Sequence, residues 1–195
     1  MENHRFDPEN FFKTACYFEG SLALMALILG WITDIDPFAS LIFSETGFLN
    51  GFMATMPLLI IFFVMQQLPY APLRQIRDLL QETLAASLQR RHWPDFLVLA
   101  CIAGFSEEAL FRGFLQPWLE HSWNMNAGLI TSNLVFALVH AITPLYALLA
   151  FLIGLYLGIF LDYHGERNLL IPIVIHTLYD FVIFIVIVQN YRNRL

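Results

Sequence analysis

Three groups of polar side chains, each set inside apolar sequence, could do chemistry. Glu107 and Glu108 are adjacent, and Arg112 follows Glu108 by four residues. Phe136 precedes His140 by four, and His176 precedes Asp180 by four, so each pair shares a face if its segment is helical. A charge at the centre of a bilayer costs at least about 2.5–3.5 kcal/mol, and ionisable residues there are functional candidates by default. Adjacent carboxylates away from water resist double ionisation unless a cation compensates one of them. Arg112, one turn from Glu108, can compensate that one. Glu107, turned about 100° around a helix, is left to face another partner. A carboxylate beside a histidine, with water between them, is a reasonable general base for hydrolysis. A second histidine with a polar neighbour on another helix could hold the oxyanion formed when water attacks a carbonyl.

Such groups need helices to carry them, and the composition supplies these. Of 195 residues, 58% are hydrophobic and 13% charged, whereas soluble domains are nearer 45–50% apolar and about 25% charged. The sequence predicts an all-α polytopic membrane protein with about six transmembrane helices and one amphipathic interfacial helix. Apolar runs at 14–32, 47–67, 93–118, 127–142, 145–162 and 169–189 are the candidate spans. The first is interrupted by Glu19 and has no small-x-small cleavage site after it, so it reads as a retained helix. Glu19 itself either snorkels to the inner surface or lines the polar cavity. Between the second and third spans, Leu73, Ile76, Leu80, Leu84 and Leu88 fall on one helical face with charges opposite, as in a helix lying along a membrane surface. Gly154 and Gly158 give the fifth span a small face for close packing. At 1.5 Å per residue, Glu107 lies about 20 Å along its helix and His140 about 20 Å along its own from the opposite side, so the three polar groups can meet near mid-membrane. The chain divides into a two-span N-terminal region with the surface helix, 1–92, and a four-span core, 93–195, within one structural domain.

Orientation follows from the cations. With the N-terminus in the cytoplasm, Arg5, Lys13, Arg74, Arg77, Arg90, Arg91, Arg192 and Arg194 all fall inside and Arg167 alone outside. Both termini are therefore expected in the cytoplasm. No basic cluster suggests nucleic acid. Cys16 and Cys101 lie in apolar stretches without disulfide or metal spacing.

Glu107-Glu108-x-x-x-Arg112, then Phe136-x-x-x-His140, then His176-x-x-x-Asp180 resemble the three motifs of the CPBP (CAAX protease and bacteriocin-processing) intramembrane proteases. The resemblance covers 93–189, with the motifs in the family's order and on separate predicted helices. It implies a membrane-embedded endopeptidase of glutamic type, with no cofactor and no metal. By this analogy Glu107 is the general base and His140 helps it activate water. His176 and Asp180 stabilise the oxyanion, and Glu108 with Arg112 holds the site in shape. The last position is often Asn in the family. An ionised Asp would repel an oxyanion, so Asp180 is either protonated or acts by orienting His176. The expected partners are a peptide or membrane-protein substrate and the lipid bilayer, and the expected location is a prokaryotic inner membrane.

Other classes are weaker fits. A zinc hydrolase would use a His-Glu-x-x-His helix, which is absent. A proton-coupled transporter would show an inverted repeat or a broken helix pair. A non-catalytic member of the same fold, acting in binding or bacteriocin immunity, would be expected to lack one of the motifs. A structural ion cluster would explain Glu107, Glu108 and Arg112 but not their spacing to the histidines.

Overall fold

The computed structural model describes residues 8–194 and, among these, contains helices and turns with no strand. Arg5, one of the cations that set the expected orientation, lies outside the described residues. Helix α1, Pro8–Thr33, ends where Asp34 takes a φ of 57° and the Ile35 N–H returns to the Gly30 carbonyl at 2.9 Å. Asp is among the few side chains that adopt this left-handed conformation readily. Helix α2, Glu45–Gln67, starts where the Ser44 hydroxyl accepts the Gly47 N–H. Helices α3, Ala71–Leu80, and α4, Ala86–Leu88, are joined by a π-helical turn, Gln81–Ala85. Helix α5, Trp93–Glu108, continues through a second π-helical segment, Ala109–Leu115, into α6, Gln116–Ser122. Helices α7, Met125–Val139, α8, Pro144–Leu161, and α9, Leu170–Arg192, complete the described chain.

Helices α1, α2, α8 and α9 are long and apolar enough to cross a membrane by themselves. The two other expected spans take different forms. The third is the α5–π–α6 run, whose mid-section carries the two glutamates and the arginine. The fourth is the 15-residue α7, about 22 Å long, which stops at Val139 rather than reaching 142. Thr143 and Pro144 already open α8, the Thr143 hydroxyl accepting the Tyr146 N–H at 3.1 Å, so His140 sits at a helix end and not on a helix face. The rim helix α3 is as amphipathic as its spacing predicts. Its Leu73 and Ile76 are buried, and Leu88 of α4, on the same stripe, lies in one core with Phe96, Leu99 and Val188.

Helix α5 is central, packed on α1 and α9, while α2 lies along the far side of α9 and α7 is held between α6 and α8. Much of α1 and α2 presents large apolar side chains outward, among them Trp31, Phe48, Phe52 and Ile60, as a lipid-facing surface requires. At the end opposite α3, Arg167 clamps the bundle. Its Nε and Nη2 donate to the two Asp162 carboxylate oxygens and its Nη1 to Glu120, each at 2.7 Å. The fork on Asp162, reinforced by Glu120, raises the Arg167 guanidinium further above its usual value. This links the end of α6 to the α8–α9 turn.

Candidate active site

Glu107 and Glu108 are the last two residues of α5, and Arg112 lies in the π-helical segment that follows. Such segments recur at functional sites because the extra residue re-aims side chains without breaking the helix. Glu108 and Arg112 are fully enclosed, at 0% and 1% exposure. The guanidinium has three partners. Nη1 donates to Glu108 Oε1 at 3.0 Å, and Nη2 donates to Asn133 Oδ1 at 2.8 Å and to the Gly154 carbonyl at 2.9 Å. A Cβ at position 154 would stand 2.6 Å from Asn133 Oδ1 and 3.2 Å from Arg112 Nη2, so the arginine reaches the α8 backbone only over a glycine. Arg112 also lies 4.6 Å above the Phe136 ring, whose own centroid is 4.3 Å from that of His140. Phe136 is thus packed between the arginine and the histidine.

Glu108 Oε1 has a second partner. His176 Nδ1 lies 2.7 Å from it, and His176 Nε2 lies 3.5 Å from Asp180 Oδ2. Both nitrogens of His176 therefore face carboxylates. The close approach of α9 to α5 depends on Gly104: a Cβ there would clash with Thr177 Oγ1 and stand 2.9 Å from the Thr177 backbone N. Thr177 follows His176, so this helix crossing sets the Glu108–His176 distance.

Glu107 points elsewhere. Its Oε2 lies 3.6 Å from His140 Nε2, slightly beyond direct hydrogen-bond range. His140 Nδ1 is 2.8 Å from the Phe136 carbonyl. A carbonyl can only accept, so Nδ1 carries the hydrogen and a neutral ring presents its Nε2 lone pair toward Glu107. Glu107, His140, His176 and Asp180 all line a cavity of about 420 Å³ whose remaining wall is mainly apolar, including Phe62, Tyr156 and Ile76. The structure thus brings Glu107, His140, His176 and Asp180 to one cavity, with Glu108 and Arg112 directly behind it.

Several neighbours have weaker sequence signals. Asn133, fully buried, is an amide in mid-helix among apolar residues one turn before Phe136, a signal that was readable. Tyr146 and Tyr179 line the cavity, but an aromatic in a span usually reads as packing. Glu19, on α1, is turned into the bundle, with one carboxylate oxygen buried. Among the described residues, no three His, Cys, Asp or Glu side chains converge in a metal-holding arrangement.

The model of the type II CAAX prenyl endopeptidase Rce1-like family matches residues 89–182, a stretch that contains all three polar groups of the cavity. No curated protein matches the chain, and no solved structure does.

Proposed function

We propose that this integral membrane protein, whose residues 89–182 match the model of the Rce1-like type II CAAX prenyl endopeptidase family, is an intramembrane endopeptidase of glutamic type. Glu107 and His140 activate water, His176 and Asp180 receive the oxyanion, and Glu108 with Arg112 positions them. The observation that carries this reading is the facing of Glu107 Oε2 and His140 Nε2 across 3.6 Å at the wall of the cavity. A water between them can give one hydrogen to the His140 lone pair and lose its other proton to Glu107 as its oxygen attacks the peptide carbonyl. The tetrahedral oxyanion then takes a hydrogen bond from the Nε2–H of His176, whose Nδ1–H is donated to Glu108 and whose Nε2 stands 3.5 Å from Asp180. Collapse transfers the proton from Glu107 to the leaving amine, restoring the carboxylate. Asp180 orients His176 from the Nε2 side.

The apolar wall suits an extended peptide segment presented from the bilayer or the end of a membrane-protein chain. Residues 93–195 form the catalytic core, and residues 1–92 supply the α2 and α3 sides of its cavity. The resemblance fits a prokaryotic inner membrane, and the cation distribution fits both termini in the cytoplasm.

The test compares membrane proteomes of cells carrying the wild-type protein and Glu107→Ala, seeking uncleaved precursors. Precursors are expected to accumulate with Glu107→Ala, and Glu107→Gln is expected to lower kcat by about 10²–10⁴-fold while retaining the fold. An unchanged proteome and phenotype would instead mark the protein as a non-catalytic, binding member of the family.

A further inference from the structure

Behind the cavity, a buried donor and a buried acceptor face the same place without meeting a protein partner. Arg112 Nε and Gln116 Oε1 are both enclosed and unpaired among the described residues, and Gln116 as a whole is 1% exposed. Buried polar atoms are normally matched, because each gives up its bond to bulk water on folding. The two residues stand four apart on one helical run. Their directions agree as well. In a guanidinium the Nε hydrogen and one Nη2 hydrogen leave the same edge, so Nε–H points to the side where Nη2 meets Asn133 Oδ1 and the Gly154 carbonyl. Glu108 is held at Nη1, across the group from that edge. Gln116 Oε1 lies against the same face of α8: a Cβ at Gly158, one turn after Gly154, would stand 2.9 Å from it and 3.1 Å from Asn133 Nδ2. The other end of the Gln116 amide is fixed, since its Nε2 donates to Glu120 Oε1 at 2.8 Å and Glu120 Oε2 accepts from Arg167. That bond decides which end of the amide is turned inward, and it is the acceptor oxygen.

We propose that one water molecule is bound between Arg112 and Gln116, accepting the Nε hydrogen and donating to Gln116 Oε1, and that through it Gln116 is a positioning residue for the hydrolysis. The positioning role rests on the endopeptidase reading above, but the water site does not. A water both accepts and donates, so one molecule satisfies both atoms where neither can satisfy the other directly. With Nε held, every nitrogen of the Arg112 guanidinium has a partner and its plane is fixed on all sides. That plane places Glu108, and Glu108 Oε1 in turn holds His176 Nδ1 at 2.7 Å. The support runs outward too, from Gln116 through Glu120 to the Arg167 clamp. The arrangement thus makes α6 part of the frame that aims the histidine.

The test uses full-length protein in nanodiscs, labelled with ¹⁵N-arginine and read by proton-detected solid-state NMR. The Arg112 Nε–H signal is assigned by its loss in Arg112→Lys. In the wild type this hydrogen should receive magnetisation directly from water. In Gln116→Met, which keeps the length of the side chain but offers no oxygen, that transfer should disappear. A wild type without the transfer overturns the site. So does a transfer unaltered in Gln116→Met, which would assign the water to Glu108 Oε2, the other unpaired oxygen near Arg112. Kinetics on quenched-fluorescence peptides should show kcat about tenfold lower in Gln116→Met. KM should be unchanged, because Gln116 is not part of the cavity wall. Gln116→Glu keeps an inward oxygen and should retain both the transfer and most of the rate. Both variants lose the bond from Gln116 Nε2 to Glu120, so equal losses of kcat in the two would mean that Gln116 acts only through that bond, and the positioning role would be overturned. If the wild type cleaves no peptide and processes no precursor in cells, the endopeptidase reading fails, and the positioning role with it. The NMR result then still decides whether the water is bound.

Discussion

Replacing Gly104 by alanine tests whether the α5–α9 crossing sets the site. The added methyl would stand 2.9 Å from the Thr177 backbone nitrogen, against an ordinary contact of at least 3.4 Å, so the two helices must part by about 0.5 Å. The clash with Thr177 Oγ1 can be relieved by rotating that side chain, but the backbone contact cannot. Overpacking of this kind costs typically about 1–3 kcal/mol. The same displacement lengthens the 2.7 Å Glu108–His176 contact past 3 Å and shifts His176 relative to Glu107. Misplacement of about 1 Å can cost about 10²-fold in rate, so half of that should cost about tenfold. Gly104→Ala is therefore expected to melt earlier in detergent and to cleave about tenfold more slowly at unchanged expression. Adding Thr177→Ala should recover little, because the obstructing atom is backbone. Wild-type melting and cleavage in Gly104→Ala, or full recovery in the double variant, would refute the account.

Arg112→Met removes three charge-assisted hydrogen bonds and leaves Glu108 buried with only His176, and is expected to destabilise the fold by about 3–5 kcal/mol, measurable by unfolding in detergent. Arg112→Lys should lose less, because a point charge still neutralises Glu108, although it cannot span Glu108, Asn133 and the Gly154 carbonyl together. Asp180→Asn should keep cleavage within about tenfold of wild type while Asp180→Ala falls further, since an amide can still contact the His176 ring. Equal losses in the two would mean that the carboxyl itself is required. Arg167→Ala opens the clamp on Asp162 and Glu120 and, because that arginine is part-exposed, should cost about 1–2 kcal/mol with little effect on cleavage beyond the lower melting temperature.

The apolar runs, their punctuation by proline and glycine, and the amphipathic stripe of α3 are local properties, and local periodicity is enough to read an all-helical membrane chain from them. The Glu108–Arg112 pairing is also local, since four residues along a helical run bring the two side chains together. The double use of Glu108 is different. His176 lies 68 residues further along the chain, and its approach depends on Gly104 admitting α9. The early end of α7 was partly legible in Thr143 and Pro144, but that His140 would sit beyond the last helical turn and bond back to the Phe136 carbonyl was not. Glu19 shows the limit most clearly. Its sequence neighbourhood suits a residue reaching for the headgroups as well as one turned inward, and only the packing of α1 on α5 buries one of its carboxylate oxygens inside the bundle. By itself the sequence determined which charges sit inside apolar helices and which of them share a face, because helical spacing and the energetic penalty of charge in lipid act residue by residue. Only the tertiary structure decided which oxygen meets which nitrogen, because those distances are set by helix crossings between segments far apart in the chain.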